Sequence, residues 1–548
     1  MINRRTFLQT AGLAPLAASA ATTSTSYDVI IAGAGLGGCA AALAATRLGH
    51  RVLLTEPTPW IGGQLTSQGV PPDEHAHIET HGAPASYREL RTRIRDHYRK
   101  KYPLTDAARA NPHLNPGNGS VSRLCHEPRA ALAALDSLLA PAITTGQLTV
   151  LLNTSPTAAE AGGDHVRALT FTSTNGTRST ATARFFIDAT EHGDLLPLTG
   201  TEHVTGTESQ SQTQEPHAPA KADPLNIQAP TWCFAIDHLP GETHTITRPE
   251  DYAFWRDHTP SLTPPWSGKL LSLAYSNPRT LEPKALSFVP HDDAKTPNLN
   301  LWHYRRILDP ANFAPGTFPS GISVVNWPQN DYMLGDLFTG TPEQNATHAR
   351  AARQLSLSLL YWLQTEAPRP DGNTGWPGLR LRGDVMGTAG SHGLAMAPYI
   401  RESRRIQAEF TILEQHITPQ KPDQKLATPF PDTAGIGSYH LDLHPSSAGD
   451  NYIDTPSVPF QIPLGALIPK RVENLIPACK NIGTTHISNG CYRLHPVEWN
   501  IGESAGALAA HCLSKKVTPR AVRNTPKLLT AFQKSLTDQG IELHWPQH

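Results

Sequence analysis

His486, Asn489, Arg493, His495 and Glu498 crowd one short segment of the 548-residue sequence. Imidazole and carboxylate groups can take a proton, and a guanidinium can hold an anionic group or a developing oxyanion. The set suits acid–base chemistry on a small molecule, with loop capping and mutual pairing as the competing reading. Upstream, Tyr439-His440-Leu441-Asp442-Leu443-His444-Pro445 alternates as a strand does, which places His440, Asp442 and His444 on one face. His444 is the better base candidate of the three. Arg401-Glu402-Ser403-Arg404-Arg405 has the spacing of an opening helix turn, with Arg401 and Arg405 on one face. Arg401 there could contact substrate or join an internal ion-pair network. Asn326-Trp327-Pro328-Gln329-Asn330-Asp331-Tyr332 is a polar-aromatic loop of the kind that hydrogen-bonds hydroxylated ligands, through Asn326 and Asn330. Plain loop structure is its alternative.

Asp73-Glu74-His75-Ala76-His77-Ile78-Glu79-Thr80-His81 also holds metal-capable side chains. It lacks helical H-x-x-x-H spacing on a convincing amphipathic segment and follows Pro71 and Pro72, so it reads as a solvated loop and no metal is expected. Cys39, Cys125, Cys233, Cys479, Cys491 and Cys512 form no C-x-x-C pair. Cys479 and Cys491 are the nearest in sequence should an oxidising compartment join two of them. No Walker loop occurs.

These groups need a scaffold, and the N-terminal third supplies one. Tyr27 to Ala32 is a strand around Val29-Ile30-Ile31. The run Gly33-Ala34-Gly35-Leu36-Gly37-Gly38 follows, then an Ala-rich helix stopped by Gly49 and a second strand from Arg51 to Glu56. Gly33, Gly35 and Gly38 fit G-x-G-x-x-G, in which the glycines permit a tight turn, backbone approach to a pyrophosphate and close helix packing. Glu56 stands 23 positions after Gly33 (56 − 33), where a carboxylate meets adenosine ribose hydroxyls. This βαβ unit binds a dinucleotide, and NAD and FAD would use it equally well.

Resemblance separates them. Trp60-Ile61-Gly62-Gly63-Gln64-Leu65-Thr66-Ser67-Gln68-Gly69 looks like the double-glycine extension of FAD-dependent oxidoreductases in the glutathione-reductase-like superfamily. Leu124-Cys125-His126-Glu127-Pro128, Ile187-Asp188-Ala189-Thr190, Pro398 to Ile406, Asn474 to Asn481 and Gly502-Glu503-Ser504-Ala505-Gly506 add to the likeness in order along the chain. The chain resembles the broad FAD-dependent oxidoreductase family. That resemblance implies FAD, with Gly62, Gly63 and Gln64 facing the pyrophosphate and ribityl chain. Asn481 and Gly483 would lie near the ribityl end, and the helix carrying Gly502 and Ala505 would aim its N-terminus at the flavin, stabilising its anionic reduced form. The family's Ala-Thr-Gly turn reads Ala189-Thr190-Glu191 here, which leaves the backbone contact at Thr190 open.

Further strands are expected around Leu148 to Leu152, Val166 to Ser173 and Ala181 to Asp188, with Asn175-Gly176 as a hairpin turn. Helices are expected near Tyr87 to Lys100 and Pro128 to Leu139. A third, capped by Thr341, should run to about Glu366. The fold class expected is α/β: a Rossmann-like FAD-binding domain, a parallel sheet with a β-meander, plus an inserted α+β substrate lobe. Its parts would be 27–206 and 381–515 for FAD, 207–380 for the substrate or cap domain, and 516–548 as a C-terminal tail.

The formal net charge of −1 supplies no field for nucleic acid and no polybasic membrane patch. Asn3-Arg4-Arg5-Thr6-Phe7-Leu8, the apolar run after it and Ala18-Ser19-Ala20 resemble a twin-arginine signal peptide over residues 1–20, the export route of folded, cofactor-loaded proteins. The expectation is therefore an exported enzyme, in the periplasm or outside the cell, moving hydride from a small, hydroxylated substrate to flavin N5. The electron acceptor is not encoded in any motif. A flavin-dependent isomerase or lyase without net redox turnover would keep every one of these motifs, and a non-catalytic binding protein would lack the flavin's yellow colour.

Overall fold

The computed structural model describes residues 25–546 apart from Asp292, so the signal-like segment at 1–20 lies outside the described residues. In strand β1 (Thr25–Ala32) the run Val29-Ile30-Ile31 is buried on both faces, as a covered parallel strand must be. The chain turns at Gly33, whose φ of +90° disfavours any side chain, and enters helix α1 (Leu36–Arg47). Strand β2 (Val52–Thr55) pairs in parallel with β1, Val52 opposite Val29. Helices α2 (Ala85–Lys101) and α3 (Pro128–Thr144) lead to β3 (Leu148–Leu151), parallel to β2. Then β4 (Thr154–Gly162), β5 (His165–Ser173) and β6 (Arg178–Asp188) form an antiparallel meander, with Gly176 at φ +85° in the hairpin. β6 also lies parallel to β1, Ile187 beside Ile31. β4 has no counterpart among the expected strands, because its half-exposed run of Ala, Thr and Glu lacks an apolar face.

The middle of the chain builds a second sheet. Strands β7 (Phe234–His238), β8 (Arg306–Leu308) and β9 (Ile322–Val325), then helix α4 (Pro342–Thr365) and β10 (Leu379–Leu381), give the antiparallel order β8-β9-β7-β10. Thr341 caps α4 by accepting the Gln344 N–H, and Leu355, Leu359 and Trp362 form its buried face. A hairpin follows, β11 (Leu441–Leu443) with β12 (Ile453–Thr455). Strand β13 (Leu475–Pro477) returns to the first sheet alongside β6. Helices α5 (His486–Tyr492) and α6 (His495–Lys515) complete the site, α6 lying directly on α1. A Cβ at Gly502 would stand 2.0 Å from Gly37 O, so only glycine allows that crossing. The architecture is α/β, a parallel sheet extended by a meander and joined to an α+β lobe.

Three expectations need correction. Residues 401–404 are not helical, and Arg405–Ile406 forms a short strand against His203–Val204. Tertiary partners explain this: Arg401 donates to Ala229 O at 2.6 Å and Arg405 to Thr484 O at 3.1 Å. The loop at 73–81 is anchored rather than solvated. Glu74 and Glu79 pair with Arg91 on α2 at 2.8 and 2.7 Å, and Arg95 joins Glu79 at 2.7 Å. The segment after 515 folds as helices α7 (Pro519–Asn524) and α8 (Pro526–Asp538), burying Phe532 and Leu536. All six cysteines are free and buried.

Candidate active site

The end of β1, the first turn of α1 and the Gly62–Gly63 segment enclose a cavity of about 290 Å³, lined by Gly33, Gly35, Glu56, Gly63 and Thr190 among others. Gly62 and Gly63 adopt φ of +107° and +48°, and a Cβ at Gly33 would lie 2.3 Å from Ala189 O. Bare backbone thus faces the space where a pyrophosphate meets a helix N-terminus. At the far end of β2, Glu56 Oε2 accepts from Ala34 N–H at 3.1 Å and Oε1 from Thr58 Oγ1 at 2.7 Å. Burial pushes this carboxyl up to about 7, against the hydrogen bonds from Thr58 and Ala34. Thr190 Oγ1 donates to Asp188 Oδ1 at 2.7 Å and fixes the turn beneath the cavity.

Glu191 reaches into this cradle. Its Oε1 has no hydrogen-bond partner among the described residues, yet lies 2.9 Å from where a Cβ at Gly63 would be. Its Oε2 accepts from Lys480 Nζ, and the same ammonium lies 3.5 Å from Glu498 Oε2. Glu191, Cys479 and Glu498 bring possible ligand atoms within 4.8 Å of one another, but Lys480 already supplies the cation there. Glu191 therefore sets a carboxylate beside bare glycine backbone, on the ground a phosphate would take.

A second cavity, about 180 Å³, opens between the middle lobe and the β11–β12 hairpin. His440, Asp442 and His444 all line it, on one face of the strand as their alternation implied. His444 Nδ1 is 2.6 Å from Asp331 Oδ2, and its Nε2 is 3.7 Å from Asp442 Oδ2. A carboxylate only accepts, so Nδ1 carries the proton and Nε2 the lone pair. Burial, with Arg401 close by, keeps His444 below its ordinary value despite Asp331 and Asp442. Asp331 is buried, yet Arg401 at 3.1 Å and His444 hold it below the usual carboxylate range. The cavities are linked through Arg493, which donates to Tyr399 Oη at 2.9 Å and to Asp442 Oδ2 at 3.0 Å. Pro398 and Ile400, on either side of Tyr399, line the first cavity.

The family description FAD dependent oxidoreductase matches residues 28–536. The chain belongs to that family. It is an FAD-dependent enzyme, and the glycine backbone with Glu56 offers the N–H groups and the carboxylate that a dinucleotide uses, with Glu191 set against its phosphates. No curated protein matches the chain. Among solved structures it resembles OxyS anhydrotetracycline hydroxylase from Streptomyces rimosus, at 11% identity and TM-score 0.31 over 94% of this chain and 66% of that one. It also resembles L-proline dehydrogenase from P. horikoshii, at 13% and 0.17 over 34% and 24%. The myxobacterial halogenase CndH matches at 16% and 0.21 over 41% and 46%. The match spans less than half of the last two chains, and at such scores the likenesses say nothing of substrate.

The FAD cradle and the second cavity gather only part of the expected residues. Gly62 flanks the cradle, and Ala34 gives its N–H to Glu56. Leu36 is buried core, while Gly38 packs against the Gly33 carbonyl at 2.0 Å from its would-be Cβ. Gly37 gives its N–H to Glu498 Oε1 at 3.1 Å. Asn481 accepts from Cys479 N–H at 3.1 Å and donates to Asp188 O at 3.0 Å, binding β13 to the turn after β6. Gly483 packs on Ala408, outside the cradle lining. Gly502 and Ala505 are corrected too: α6 begins at His495, so both lie inside the helix against α1, away from its N-terminus.

Among the expected catalytic groups, Glu498 is a brace. It holds Gly37 N–H and the Gln64 amide, and burial raises its carboxyl against the pull of Lys480. Gln64 also donates to Arg493 O at 3.0 Å. His495 accepts the Asp73 N–H at 3.1 Å, and complete burial holds it neutral, far below its ordinary value. His486 is 2.9 Å from Glu402 and lines a separate outer cleft. Asn489 donates to Arg401 O at 2.9 Å. Asn330 turns inward, accepting from Trp327 N–H at 2.9 Å and donating to Ser356 Oγ at 3.3 Å, so it does not line the second cavity. Asn326 does line it and accepts from Arg401 at 3.4 Å. Arg401 also holds Thr231 Oγ1 at 2.7 Å and contributes through Asp331, without lining either cavity. Asp331, Lys480 and Glu191 are the groups that spacing did not single out. Their partners lie 113, 289 and 289 positions away.

Proposed function

We propose that this FAD-dependent oxidoreductase is exported in folded form and oxidises a small, hydroxylated organic substrate held in the second cavity. The observation that carries the reading is the Asp331–His444 pair, a neutral imidazole with its tautomer fixed and its Nε2 free to accept, one arginine away from the FAD cradle. The substrate O–H proton passes to His444 Nε2, and the C–H hydrogen leaves with its electron pair as the carbon becomes a carbonyl. Bound FAD supplies the acceptor for that hydride at N5. Asp331 orients the ring and stabilises the imidazolium that forms, while Arg401 keeps Asp331 ionised. Arg493 ties Tyr399 to Asp442 and so fixes the wall shared with the FAD side. The twin-arginine-like N-terminus supports export to the periplasm or beyond with FAD already in place.

The test is anaerobic mixing of the holoenzyme with a panel of hydroxylated compounds, read as bleaching of the visible flavin band. His444→Gln should slow bleaching roughly 10²–10⁴-fold, the span of general-base catalysis, with FAD content unchanged. Bleaching at the parent rate would remove His444 from the mechanism. Turnover with the flavin spectrum undisturbed would instead favour an isomerase or a lyase.

A further inference from the structure

We propose that the second cavity takes a neutral, ring-shaped polyol, a monosaccharide unit, in preference to a hydroxy acid or an amine. This rests on the reading above that the cavity receives the substrate. Its charged walls are already matched among themselves. Arg305 lies 3.4 Å from Asp73, Asp442 3.0 Å from Arg493 behind it, and His440 2.9 Å from Asp454. A carboxylate entering the cavity finds no cation without a counter-ion, and an ammonium finds no spare carboxylate. Either would have to break a buried pair, which costs far more than an exposed one.

The unpartnered polar atoms tell the complementary half. Asn326 Nδ2, Trp327 Nε1, Arg305 Nε and Tyr452 Oη are buried without a hydrogen-bond partner among the described residues, and their four side chains all line this cavity. Asn326, Trp327 and Arg305 can only donate from these atoms, so a ligand that satisfies them must present several acceptor oxygens. A hydrocarbon would leave each donor unmade, at about 1–3 kcal/mol apiece. Tyr275, Tyr304, Tyr439 and Trp327 also line the cavity, aromatic surface suited to the C–H side of a pyranose. At about 180 Å³ the space is below the roughly 300–1,000 Å³ of drug-sized sites, so one ring enters. Oxygens pointing outward from an uncharged, stackable ring are the chemistry of a sugar.

The experiment compares glucose, glucuronate and glucosamine, one ring in three charge states, with lactate as an acyclic hydroxy acid. Calorimetry on the holoenzyme reads binding, and anaerobic flavin absorbance reads oxidation. The neutral sugar should bind at least about tenfold tighter than either charged form. Trp327→Phe, which keeps an aromatic ring and loses the donor, and Asn326→Leu should each weaken it about tenfold with FAD absorbance intact. Equal or tighter binding of the charged rings overturns the inference, as does unchanged affinity in both variants. If the sugar binds and never bleaches the flavin, the substrate class stands and the oxidation reading falls. If lactate bleaches it while no sugar binds, the reverse holds, and if nothing binds or bleaches, both fall.

Discussion

Glu191 is the side chain that most plainly departs from what a pyrophosphate cradle would choose. Its unpartnered Oε1 puts a negative charge beside Gly35 and Gly63, where phosphates must lie, and Lys480 is its counter-ion. FAD must therefore share or displace that carboxylate. Glu191→Gln removes the repulsion and should lower the Kd of the apoprotein for FAD about tenfold, or 1.4 kcal/mol. Lys480→Met should raise it. Flavin-fluorescence quenching measures both, and weaker binding by Glu191→Gln would show the carboxylate to be a stabilising partner instead. The sequence flagged position 191 as a break in a motif but not its partner, since pairing across 289 residues leaves no local trace. His444 was legible because strand alternation displays it, whereas Asp331 sat in a loop with nothing to mark it as the ring's partner. Gly502 and Glu498 misled for a related reason: small or charged residues in a motif can serve helix packing as well as a ligand.

Among the elements, α6 carries most consequence, because its first turn braces the FAD cradle and its middle lies on α1. Glu503 is buried where α6 meets α2, with Ser86 Oγ donating to it, and burial pushes its carboxyl up to about 7 against Ser86 and the more distant Arg47. A raised carboxyl favours the folded state fully below the unfolded value near 4.5, and that contribution fades as pH rises through 7. The difference is about 3 kcal/mol at full deprotonation, from roughly 1.4 kcal/mol per pH unit. Glu503→Gln should therefore match the parent in thermal melts near pH 4.5 and exceed it by several degrees at pH 8. A parent-like melting temperature at both pH values would place the strain elsewhere. Most elements could be read in advance: β1, α1 and β2 from apolar runs and glycines, and α4 from its Thr-Pro cap. β4 and the coil at 401–404 could not, because exposure hid the first and tertiary hydrogen bonds overrode helical spacing in the second.

For the whole molecule, the proposed route out of the cell is testable at the N-terminus. Replacing both Arg4 and Arg5 with Lys should leave FAD-loaded protein in the cytoplasmic fraction, whereas the parent is recovered outside it. Equal recovery outside would point to a different route. Among the described residues no helix is long and apolar enough to cross a membrane. The six thiols are all free, so the fold asks nothing of an oxidising compartment. The brace between Gly37 and Glu498 spans 461 residues of sequence. While the chain is still on the ribosome, the cradle's lining is complete by Ile400, but the carboxylate that braces Gly37 has not been made. In the life of each molecule the cradle is thus outlined early and fastened last, when the ribosome reaches α6.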